Sequence, residues 1–147
     1  AMINRYRDGV VPPKPESTGL EDDFAEAADK LAAKIDSLEL TAALEEVWSL
    51  VRRLNRFVEE CAPWKLAKDE SSAAELDATL YALAEGLRVV SILLNPFIPK
   101  STSTLLEALG QDSQKGDLSA AEFGSGAGGN SVGELSPLFP KLETAEA

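Results

Sequence analysis

Leu76, Leu80, Leu83, Leu87, Val90 and Leu94 follow one another at alternating spacings of four and three residues. That rhythm places six apolar side chains on one face of an α-helix and is incompatible with the period of two that a strand requires. It recurs twice upstream. Phe24, Ala28, Leu31, Ile35 and Leu38 predict a helix over about 20–38. Leu44, Val47, Val51, Leu54, Val58 and Cys61 predict one over about 41–61, with Ala43, Leu50 and Phe57 widening the apolar face beyond a narrow seam. Trp48 lies beside this stripe and reads as a core residue. Three long amphipathic helices in succession must bury their faces on one another, so the expected fold is all-α: an antiparallel bundle of about four helices.

Punctuation residues set the helix boundaries. Pro63 closes the second helix, because the residue before a proline is pushed out of helical geometry. Ser71 or Ser72 can cap the third, over 73–94. Gly86, in mid-helix, costs about 1 kcal/mol relative to alanine and marks a close helix crossing. Asn95-Pro96-Phe97-Ile98-Pro99 makes a stiff corner, and Lys100 to Leu109 reads as a short last helix stopped by Gly110.

Flanking segments differ in character. Residues 1–7 read as the end of a helix that begins upstream, cut off by Asp8-Gly9 and followed by a proline-rich linker through residue 19. The bundle is expected over 20–110. Residues 111–147 are rich in Gly, Ser, Asp and Ala, and Gly124, Gly126, Gly128 and Gly129 read as flexible linker. Leu138-Phe139, set between Pro137 and Pro140, reads as an irregular strap that docks on a neighbouring surface.

Residue usage narrows the chemistry. The 147-residue chain has no histidine and one cysteine, Cys61, which excludes an internal disulfide, a cysteine-rich zinc site, a histidine-based triad and a Glu-x-x-His di-iron bundle. No catalytic and no metal-ligating residue is nominated, and Cys61 reads as small core filler. No stretch reaches the roughly 20 apolar residues of a membrane span and no signal-like segment opens the chain, so the reading is a cytoplasmic protein without a membrane partner. Net charge is −11 but uneven: residues 20–39 carry a balance of −5, and residues 52–68 a balance of +3 from Arg52, Arg53, Arg56, Lys65 and Lys68 against Glu59 and Glu60. Charge alone allows either a solvated mixed face or a local anion-binding patch.

Several short stretches together resemble the C-terminal part of methionyl-tRNA synthetases, a class I aminoacyl-tRNA synthetase family. They are Ile3-Asn4-Arg5-Tyr6-Arg7-Asp8-Gly9-Val10-Val11-Pro12, Val47-Trp48, Leu54-Asn55-Arg56-Phe57, Ala62-Pro63-Trp64-Lys65-Leu66-Ala67-Lys68, Leu93-Leu94-Asn95-Pro96-Phe97-Ile98-Pro99, Leu109-Gly110, Phe123-Gly124 and Pro137-Leu138-Phe139-Pro140. The Pro-Trp-x-Leu-x-Lys stretch and the Leu-Phe-Pro ending are the most specific of these. The resemblance implies a helical anticodon-binding domain that contacts the CAU anticodon loop of methionine tRNAs. Trp64 matches the family tryptophan that packs against the anticodon, and Glu59 falls where the family often has an acid that helps reject wrong anticodons. An exposed indole at a helix end suits that task, since an unstacked base on an aromatic face is worth about 1–3 kcal/mol. Arg52 with Arg56, and Lys65 with Lys68, are expected to neutralise phosphates. Without the resemblance, Trp64 reads as a core residue stapling the hairpin. Asn55 reads as a buried residue fixing helix register, with an RNA contact as the other possibility.

The family's His-Ile-Gly-His and Lys-Met-Ser-Lys-Ser signatures and its zinc-binding cysteines are absent, as are the Asn and Arg that it uses one turn apart upstream of the Arg-Asp-Gly stretch. The chain is therefore expected to be a terminal fragment, non-catalytic alone, of an ATP-dependent and monomeric methionine-tRNA ligase. Its partners would be tRNA and the catalytic domain, with ATP and zinc confined to the missing part. Truncation is expected to leave an apolar patch, giving a non-physiological dimer or a disordered tail. The alternative is a helical protein-interaction or scaffolding domain that does not bind RNA.

Overall fold

The computed structural model describes residues 1–112 and 118–141. Six α-helices follow in chain order: α1 Met2–Arg7, α2 Glu21–Asp36, α3 Leu40–Cys61, α4 Pro63–Leu66, α5 Ala73–Leu94 and α6 Pro99–Ala108. Short 3-10 turns lie at Glu70–Ser72 and Leu118–Ala120. Among the described residues there is no strand, only one antiparallel bridge between Val10 and Ser131. The fold is all-α, as the periodicity requires.

α2 and α3 form a hairpin that packs on α5, the hub of the molecule. Phe24, Ala27 and Leu31 of α2 and Ala43, Val47, Leu50, Leu54 and Phe57 of α3 are buried together with Val89, Val90 and Ile92–Leu94 of α5. The core of α3 is thus centred on the residues expected only to widen its stripe, while Leu44, Val51, Val58 and Cys61 are half-buried at its edge. Gly86 sits where expected: a Cβ there would lie 2.5 Å from Cδ2 of Leu54, so the glycine lets α3 and α5 cross closely. At the corner after α5, the Asn95 amide donates to the Thr102 hydroxyl (3.0 Å), tying α5 to α6. Ser72 makes no capping bond; the Asp69 carboxylate instead accepts from the Ser71 amide at the preceding turn.

Four expectations are corrected. α2 ends at Asp36, and Leu38 lies beyond it in left-handed conformation (φ 59°), 83% exposed rather than on the apolar face. Trp48 is 45% exposed, not a core residue, because the core is centred on the opposite flank of α3. Asn55 is exposed and fixes no register.

The fourth concerns the tail. Over 118–133 it packs in cis on the bundle: Ala121 is buried, and the Phe123 ring stacks on Phe24 with centroids 4.5 Å apart. Beneath it lies an ion pair of α5, Glu85 and Arg88, only 4% and 7% exposed. Arg88 donates to both Glu85 oxygens (2.6 and 2.8 Å), to the carbonyls of Ala120 (2.6 Å) and Glu122 (2.9 Å), and to the Ser125 hydroxyl (2.8 Å). Glu85 accepts from the amides of Gly124 (2.9 Å) and Gly126 (3.2 Å). A Cβ on Gly126 would lie 2.5 Å from the Glu85 carboxylate, so this glycine is a point of close approach and not linker. Burial pushes the Glu85 carboxyl up, but the Arg88 hydrogen bond and charge, with the two amides, outweigh it and hold the group below its ordinary value. Farther on, Leu135 still lines a groove with Leu83, Leu87 and Leu105 and Leu138 is half-buried, whereas Phe139 is 71% exposed rather than docked on this bundle.

Candidate nucleic-acid interface

The corner between α3 and α4 is built by three consecutive residues. Ala62 takes a left-handed conformation (φ 44°, ψ 61°) that ends α3, its amide bonded to the Val58 carbonyl (2.9 Å). Pro63 then occupies the first position of α4, where its missing N–H leaves nothing unpaired, and its ring is fully buried. With the proline anchored, the chain turns Trp64 outward. Its indole is 44% exposed, one part packed and the other open to a planar ligand.

Lys65 and Lys68 are exposed on the same turn, with Lys68 following Lys65 by an amide-to-carbonyl bond of 3.0 Å. Glu59 is exposed on the last turn of α3. Arg52 and Arg56, also exposed, lie farther back along α3; at 1.5 Å per residue, Arg52 is about 14 Å from the helix end. The nominated residues therefore form two groups: Trp64, Lys65, Lys68 and Glu59 around the corner, Arg52, Asn55 and Arg56 along the shaft. Arg52 has a loose ion pair with Glu45 (3.8 Å, both exposed). Arg53 is engaged elsewhere, bonded to Asp23 (2.8 Å) and Glu60 (3.3 Å), so it ties α2 to α3.

Cys61 beside the corner is half-buried, and burial, only partly offset by a hydrogen bond to Thr79, pushes its thiol up, away from reactive thiolate. Among the described residues no three carboxylates or cysteines converge as a metal site. The arrangement can present a flat aromatic face flanked by cations.

Residues 10–146 match the family model described as the anticodon binding domain of methionyl tRNA ligase. The chain belongs to that family. Methionine--tRNA ligases of Lactococcus lactis and Deinococcus radiodurans are 35% and 40% identical to it, over 99% and 97% of this chain and 23% and 21% of their own length. Apo methionyl-tRNA synthetase of Mycobacterium tuberculosis superposes with a TM-score of 0.79 at 25% identity, covering 98% of this chain and 30% of that one. The chain thus spans about a quarter of the ligases it resembles, and it is an anticodon-binding domain of the methionine-tRNA ligase family. No helix among the described residues is long and apolar enough to cross a membrane.

The sequence placed the corner correctly in the chain and on the surface. It missed the outward position of Trp48, for which the asymmetric widening of the α3 stripe by Leu50 and Phe57 was the available signal.

Proposed function

We propose that this domain binds the CAU anticodon loop of methionine tRNAs as the tRNA-recognising part of an ATP-dependent methionine-tRNA ligase of the cytoplasm, whose catalytic domain, with its ATP and zinc, is its other partner. The observation that carries the reading is Trp64: a tryptophan held half-exposed by a buried proline, at a helix end with two lysines beside it. A loop base stacks on the open face of the indole while Lys65 and Lys68 meet the phosphates on either side. Glu59, a turn away, disfavours bases that present acceptors to it, which supports a role in rejecting wrong anticodons.

The test is aminoacylation by the full-length ligase carrying Trp64→Ala or Trp64→Phe, with tRNAs of matched and altered anticodon. Trp64→Ala should lower kcat/KM for the matched tRNA by about 1–3 kcal/mol in transition-state terms and narrow the gap to altered tRNAs; phenylalanine should restore part of the loss. Unchanged discrimination in the alanine variant would refute the role of Trp64.

A further inference from the structure

A groove of about 530 Å³ runs between α2 and the returning tail, lined by residues of α2, by Leu93 of α5 and by residues 118–123, with none from α3 or α4. Its floor is apolar, made by Phe24, Leu31 and Leu93. The α2 side is low, because Ala25 and Ala32 are exposed there and carry only a methyl group, and on the tail side Leu118 is 44% exposed. Four carboxylates border this apolar trough, those of Glu21, Asp22, Asp29 and Glu122, and its lining holds no cation. Glu21 is engaged at the start of α2, accepting from the amides of Thr18 (2.7 Å) and Gly19 (2.9 Å). Asp22 and Asp29 are exposed, and among the described residues neither has a basic partner. At 3.6 residues per turn, Lys30 and Lys34 fall on the other flank of α2, where Glu26 (2.6 Å) and Glu39 (3.4 Å) pair with them. Lys14, near the end of the tail segment, donates to the Gly124 carbonyl (2.6 Å).

We propose that this groove docks a basic amphipathic helix of a partner protein, its apolar face on Phe24, Leu31 and Leu118 and its lysines or arginines against Asp22, Asp29 and Glu122. The charge selects the occupant. Nucleic acid is repelled by the bordering carboxylates, and a second copy of this chain, at −11, would set acid against acid. The shape selects its conformation. The described residues hold no strand whose edge could pair with an extended segment, so the ligand must satisfy its own backbone, as a helix does. From Asp22 to Ile35 the α2 side is about 20 Å long, room for three to four turns of a ligand helix. The two exposed alanines let that helix approach closely, and long basic stems can lie across them to reach the aspartates. Because neither α3 nor α4 contributes to the lining, a helix seated here leaves Trp64 and its lysines open, and the domain can hold RNA and a protein partner together.

The probe is a labelled peptide of about 18 residues with leucines on one helical face and lysines on the other, titrated by fluorescence anisotropy into this domain and into the full-length ligase. It should bind both proteins, more tightly than a scrambled peptide of the same composition and than one with glutamates in place of the lysines. Asp22→Asn/Asp29→Asn should weaken it about fivefold and Ala32→Gln about tenfold; both changes are exposed and the glutamine suits a helix. Glu70→Gln/Glu75→Gln, which removes the same charge from an exposed surface elsewhere, should leave the affinity unchanged. No binding to the wild-type domain, equal binding of the scrambled peptide, or groove variants that bind as wild type would overturn the inference. Self-association of the domain that Ala32→Gln abolishes would give the groove to a second copy instead. Binding to the domain but not to the full-length ligase would give it to the ligase's own upstream chain. Hairpin RNA should bind Asp22→Asn/Asp29→Asn no more weakly than wild type, so failure of this inference leaves the reading of the Trp64 corner standing.

Discussion

Replacing Arg88 by methionine tests the account of the tail. The substitution preserves much of the apolar stem but removes five hydrogen bonds: two to Glu85, two to the Ala120 and Glu122 carbonyls, and one to Ser125. Glu85 remains 4% exposed and keeps only the amides of Gly124 and Gly126. A buried charge stripped of its partner costs about 3–5 kcal/mol, against a total of about 5–15 for a domain of this kind. In urea, with a slope of about 2 kcal/mol per molar, the midpoint should fall by roughly 1.5–2.5 M. The double variant Glu85→Leu/Arg88→Met should recover part of that loss, since no bare charge remains, but not all of it, because the tail carbonyls still lack donors. Proteolytic cleavage within 118–133 should accelerate in both variants.

The same pair sets an acid limb. Glu85 titrates below its ordinary value when folded, so its stabilisation is complete above the ordinary carboxylate range and is lost as pH falls through the depressed folded value. Glu85→Gln should flatten stability below about pH 4 relative to wild type. An Arg88→Met protein within about 1 kcal/mol of wild type, or a double variant less stable than the single, would refute the claim that the buried pair holds the tail.

Other outcomes follow from single positions. Gly86→Ala should destabilise by about 1–2 kcal/mol despite the better helix propensity, since its Cβ would meet Leu54 at 2.5 Å; thermal melting reads this directly, and a rise in Tm would show that the crossing has slack. Leu38→Gly should stabilise by about 0.5–1 kcal/mol, because Leu38 holds φ 59° with its side chain 83% exposed; a loss would mean that this side chain makes a contact worth more than the strain. Raising salt should weaken RNA binding steeply, and Lys65→Gln/Lys68→Gln should lower the slope of log affinity against log salt by roughly 1–2; an unchanged slope would remove both lysines from the interface.

The helices were legible because their apolar spacing admits no other element: α5 spans Ala73–Leu94, the range its leucines and flanking residues predict, and Gly86 does mark a crossing. The corner was legible because Pro63 can only stop α3. What stayed hidden depends on distant chain. Glu85 and Arg88, three residues apart on a helix, look like a surface pair, and only a tail some 40 residues downstream buries them. The glycines that permit this approach look like linker, since the carboxylate they approach is remote in sequence. On α3 the apolar face is broad enough that Trp48 and Asn55, at its margin, can fall on either side; the burial of Leu50 and Phe57 in the core shared with α2 and α5 decides it.

The central claim is that Trp64 and its lysines read an anticodon. The direct measurement is equilibrium binding of this domain to a hairpin with a CAU loop and to one with the same stem and a scrambled loop, for wild type and Trp64→Ala. The account predicts a wild-type preference for CAU of about fivefold or more that the alanine variant largely loses. Equal affinity of the wild-type domain for both loops would contradict it.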